Sequence, residues 1–153
     1  MSFESHEYTE LLPLETSHDA VEVMEESLNK EIPLYEALDQ TAERLREGLI
    51  ENAEALQDFL SPLKELKEPL SEVFGEFGEV IGGLLEAGVS LLEKGVEWLK
   101  ENLDLVEGAF KVILLVLLAQ ENPELVLKYI SERPRDFKET LDELPNLHKA
   151  LEQ

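Results

Sequence analysis

Eight consecutive residues, Val112 to Ala119, carry no polar side chain. A helix made from them is apolar on every side, so other elements must wrap it on every side. A bilayer is the wrong wrapping. A spanning helix needs roughly 20 apolar residues, and extending this run backward meets Lys111, Gly108, Glu107 and Asp104. The run predicts the central helix of a globular bundle, over about 104–120.

The remaining chain supplies the wrapping. Leucine occurs 30 times in 153 residues, mostly three or four positions apart, which is the spacing of one helix face. No long stretch alternates with period two in β-branched or aromatic residues, as strands do. The fold class is therefore all-α: a helical bundle around the central apolar helix, with short helices at the C-terminal end. The hydrophobic fraction of 43% and the chain length fit a single core. Residues 16–153 are expected to form one domain. Residues 1–15, with no clear periodicity, are expected to form a flexible arm.

Most of the seven prolines stand where a helix can begin, because the first helical position tolerates a missing N–H. Thr16 or Ser17 is the expected N-cap of a helix reaching about Lys30, with Ala20, Val21, Met24 and Leu28 turned inward. Pro33 opens a second helix to about Leu60, striped by Leu34, Leu38, Ala42, Leu45, Leu49, Leu56, Phe59 and Leu60. Asn52 interrupts that stripe, as a register-fixing polar group or as an edge position. Ser61-Pro62 restarts the chain, and Leu63, Leu66 and Leu70 keep the spacing. A third long helix is expected from about Pro69 to Asn102. Its broad apolar face includes Phe74, Phe77, Ile81, Leu84, Leu85, Leu91, Leu92, Trp98 and Leu99. That face is large for one short chain and predicts a homodimer. Asn102 or Asp104 starts the central helix. Asn122-Pro123 starts another, to about Glu132. Arg133-Pro134 breaks it, Asp136 caps a further short helix, and Pro145 opens a last one with Leu147 and Leu151.

Seven of the eight glycines lie between Gly75 and Gly108. Each costs about 1 kcal/mol relative to alanine inside a helix, so the cluster calls for a reason. Gly78 and Gly82 form a small-xxx-small step, and Gly88 and Gly95 stand one heptad apart. These four are candidate helix-packing positions, where a neighbour comes close or where copies self-assemble. A break at Gly82-Gly83 and a deliberately weak, switchable segment are the other two readings.

The chain is acidic: 29 Glu and 6 Asp against 13 Lys and Arg, a formal net charge of −22. Phosphate backbones and, at neutral pH, anionic membrane surfaces repel such a body, so no direct nucleic-acid binding is expected. Basic protein surfaces attract it. Two rows of acids follow helical spacing: Glu43, Glu47, Glu51, Glu54 and Asp58 on the second helix, and Glu72, Glu76, Glu79, Glu86 and Glu93 on the third, continued by Glu97 and Glu101. Carboxylates four residues apart lie about 6 Å apart along an axis rising ~1.5 Å per residue. Such rows imitate a phosphate backbone. They also serve simply as a solvated face that keeps the protein soluble.

Catalytic and metal signatures are absent. No nucleophile elbow, HExxH, Walker or dinucleotide-binding pattern is present, and no cofactor is implied. The absence of cysteine removes disulfides, thiol chemistry and cysteine metal sites. Glu15 and His18 have the Glu-x-x-His spacing of di-iron bundles, but only once; His6 and His148 have no such Glu. The N-terminus has neither a basic nor an apolar leader segment, which predicts a cytoplasmic, intracellular or virion-associated protein.

Three functional expectations follow. The first is a non-enzymatic module that binds a basic protein surface, as an adaptor or as an inhibitor. The inhibitor reading includes nucleic-acid mimics of the phage or mobile-element type. The second is a membrane-active or lipid-binding bundle that exposes its apolar helix in acid. The third is a self-assembling structural protein.

Overall fold

The computed structural model describes residues 14–65 and 70–142. They form an all-α bundle with nine α-helices and no strand among the described residues. We label these α1 Ser17–Asn29, α2 Leu34–Leu49, α3 Ala53–Leu60, α4 Leu70–Phe74, α5 Gly78–Leu92, α6 Val96–Glu101, α7 Leu103–Glu121, α8 Pro123–Glu132 and α9 Pro134–Asp142. Short 3-10 turns follow α3 at Ser61–Glu65 and α4 at Gly75–Phe77.

Helix α7 is the hub. Val106, Ala109, Phe110 and every residue from Val112 to Ala119 are buried. It packs chiefly against α5 and α2, and also against α1 and α8. The wrapping is therefore protein on all sides, and no helix among the described residues is long and apolar enough to cross a membrane. On α5, a Cβ added at Gly88 would lie 3.3 Å from the Ala109 carbonyl oxygen. The two helices cross at that point with almost no side chain between them. An edge-to-face pair, Phe59 on Phe110 at 5.9 Å, joins α3 to the same hub.

Local side-chain caps set three of the helix starts. The Thr16 hydroxyl accepts the Asp19 N–H at 3.2 Å, and the Asn122 amide oxygen accepts the Leu125 N–H at 3.3 Å. Pro33 has no side chain able to cap α2. The Tyr129 hydroxyl, from α8, accepts the Leu34 N–H at 2.9 Å instead. A helix start left bare by its own sequence is thus satisfied by a residue 95 positions away.

Two expected long helices are broken. The second ends at Leu49, because Asn52 turns its side chain back to accept the Ala55 N–H at 3.1 Å and caps α3. Asn52 is exposed, so its role is a cap rather than register or packing. The third expected helix is divided into α4, α5 and α6. The breaks fall at Gly75 and Gly95, whose φ values are +56° and +104°. The chain runs helically through Gly82-Gly83, so of the readings offered for that pair a break is not the one realised. The expected arm also ends sooner: Leu14 is buried and its N–H donates to the Arg44 carbonyl at 3.1 Å. The helix expected from Pro145, with Leu147 and Leu151, lies outside the described residues, as do residues 1–13.

Candidate functional site

All ten acids of the two candidate rows are exposed: Glu43, Glu47, Glu51, Glu54, Asp58, Glu72, Glu76, Glu79, Glu86 and Glu93. Their alignment differs from two straight rows. Glu43 and Glu47 lie on α2, Glu51 follows its end, and Glu54 and Asp58 lie on α3, beyond the Asn52 cap. Glu72 belongs to α4 and Glu76 to the 3-10 turn, while Glu79 and Glu86 belong to α5 and Glu93 is its C-cap. Glu79, Glu86 and Glu93 are seven residues apart, about 10 Å at the helical rise. The carboxylates thus form several short acidic faces rather than two straight rows, because the Asn52 cap and the left-handed Gly75 interrupt the helices that carry them.

Two of the thirteen basic residues are used in a seam between helices. Lys111 of α7 pairs with Asp39 of α2, and Arg46 of α2 approaches Glu107 of α7 at 3.6 Å. The Lys111 and Arg46 side chains are only 20% and 22% exposed, so both cations are drawn into the α2–α7 seam. Lys94 lies over the Trp98 ring, 4.7 Å from its centroid. The two seam contacts withdraw Lys111 and Arg46 from the surface, while Lys94 stays exposed.

The four candidate packing glycines separate into different roles. Gly88 makes the α5–α7 crossing already described. Gly78 is buried at the start of α5. A Cβ at Gly82 would meet only the Leu70 Cδ1, at ordinary contact distance of 3.8 Å. Gly95 is corrected: nothing lies within 4 Å of a Cβ built there, and its φ of +104° makes it a turn residue between α5 and α6. The tightest glycine, Gly48 on α2, was not among the candidates. A Cβ there would collide with the Leu14 carbonyl oxygen and lie 2.7 Å from its carbon. A lone glycine inside a clear helical stripe was the available signal.

Other chemistry is sparse. His18 pairs with Glu22 at 3.2 Å, both exposed, rather than with Glu15. No group of three or more His, Cys, Asp or Glu able to hold a metal occurs among the described residues. An apolar void of about 10 Å³ lies among Leu28, Leu34, Leu115, Leu118, Tyr129 and Phe137, with Leu125 and Val126 beside them. It has the size of one water molecule but lacks the polar lining that would hold one. The Thr41 hydroxyl is fully buried without a hydrogen-bond partner among the described residues.

No known family model matches the chain, and neither a curated protein nor a solved structure matches it.

Proposed function

We propose that this protein is a non-enzymatic interaction module whose short acidic helical faces bind a basic protein surface. It acts there as an adaptor or as an inhibitor that occupies a site meant for a phosphate backbone. One observation carries the reading: all ten candidate acids face water, while Lys111 and Arg46 are pulled into the α2–α7 seam. A body arranged this way attracts cations at long range and holds them by many weak contacts. Its place of action is inside a cell or a virion.

The test is affinity capture from the native host at low salt, followed by titration of the captured partner. Raising NaCl from about 50 to about 500 mM shortens the Debye length several-fold and should weaken binding by tenfold or more. Reversal of Glu43 and Glu47 to Lys should reduce the on-rate more than it raises the off-rate. Binding indifferent to salt would mean that apolar contact drives association, and the proposal would fail.

A further inference from the structure

In a chain with 35 acids, a run of unpaired cations is unexpected, and one lies on and beside α9. Between residues 128 and 138, Lys128, Arg133, Arg135 and Lys138 meet only Glu132 and Asp136. Arg133, Arg135 and Lys138 are exposed and form no ion pair among the described residues. Elsewhere Lys111 and Arg46 are paired and Lys94 covers Trp98, while Lys100 of α6 is a single exposed cation without an ion pair among the described residues.

Beside these cations stands the opposite charge. Phe137 of α9 stacks on Phe74 at 6.1 Å and meets Phe77 edge-to-face at 5.2 Å. These contacts place α9 next to α4 and the Gly75–Phe77 turn that leads into α5. Glu76 and Glu79 are exposed there, and they too form no ion pair among the described residues. Val80, next in the chain, is 50% exposed, the most exposed large apolar residue of the described chain. Acids and bases thus stand on adjoining elements without forming ion pairs among the described residues.

We propose that a second copy of this chain docks on this surface about a twofold axis. Arg135 and Lys138 of each copy face Glu76 and Glu79 of the other, with Val80 near the centre. A twofold axis uses the same patch twice, so every complementary pair occurs twice. Net repulsion between two copies acts over long distances and is largely screened beyond about 8 Å at physiological salt, while pairs in contact are screened less. The dimer is accordingly strongest at intermediate salt and weaker at very low salt. Binding of a basic partner should instead weaken steadily as salt rises, so the two readings fail separately.

Sedimentation velocity of the full chain over a concentration series at about physiological salt tests this, with circular dichroism as a check on folding. Wild type should show a concentration-dependent species of twice the monomer mass. R135E/K138E and E76K/E79K should each weaken self-association at least tenfold. An equimolar mixture of these two variants should restore it, because each then offers the charge the other lacks. Wild type that stays monomeric, reversals without effect, or two folded variants that fail to associate on mixing would each overturn the proposal. So would a monomer that instead binds polyglutamate through Arg135 and Lys138, since the occupant would then be a foreign acidic chain.

Discussion

Glu31 occupies a position that glycine normally fills. Its φ is +65°, the only positive value for a non-glycine among the described residues. It terminates α1 in a Schellman arrangement: the Ile32 N–H reaches the Ser27 carbonyl at 3.1 Å, and the Glu31 N–H reaches that of Leu28 at 3.1 Å. Left-handed backbone costs an ordinary residue roughly 1 kcal/mol, so Glu31→Gly should raise stability by about that amount in urea unfolding. A loss would show that Glu31 makes a compensating contact. Glycines give the opposite contrast. Gly82→Ala has room and should gain up to about 1 kcal/mol of helix propensity. Gly95→Ala must hold an alanine at φ +104° and should lose about 1–3 kcal/mol from backbone strain. Gly48→Ala drives a methyl into the Leu14 carbonyl and should lose about 1–3 kcal/mol, as overpacked sites do. If Gly48→Ala were stabilising instead, Leu14 would not rest on α2 as described.

Among the helices, α7 was the most legible from sequence and α9 the least. The expected span of 104–120 lies within the observed Leu103–Glu121, because an all-apolar run bounded by charges leaves little freedom. Threonine at α1 and asparagine with proline at α8 also marked those helices closely, since such caps act within three residues. The breaks at Asn52, Gly75 and Gly95 were not separable from continuous periodicity, because the leucine spacing resumes in phase after each. Helix α9 is polar over most of its length and is anchored through Phe137, which is fully buried against Phe74 and Phe77. Phe137→Ala should cost about 3–5 kcal/mol, the range for a buried aromatic truncated in a core. Hydrogen exchange should show α9 amides losing protection while α7 amides keep theirs until global unfolding. Equal loss in both would mean that α9 is integral to the core rather than docked onto it.

Across the whole molecule the net charge of −22 opposes compaction, because like charges repel more strongly when folded together. Most proteins with many ion pairs lose stability in salt. Here two partly exposed pairs join α2 to α7, and they are far outnumbered by exposed acids. Raising NaCl from about 20 to about 200 mM screens that repulsion and should stabilise the protein toward urea by on the order of 1 kcal/mol. A fall in stability would mean that the Lys111–Asp39 and Arg46–Glu107 pairs dominate the balance.

The broad apolar face of 73–99, from which a homodimer was expected, is largely covered within the chain. Ile81, Leu84, Leu85, Leu91, Leu92 and Leu99 are buried, and α5 packs along α7. Periodicity measures how much apolar surface a helix must hide, but it is silent on which neighbour hides it. Local rules of pattern, capping and charge act within a few residues, so the helical class, the central helix, several caps and the acidic exterior could be read along the chain. The Tyr129 cap on α2, the Gly48–Leu14 contact and the Phe74–Phe77–Phe137 cluster join residues far apart in sequence. Their partners are chosen only when the helices pack, and no local pattern encodes that choice.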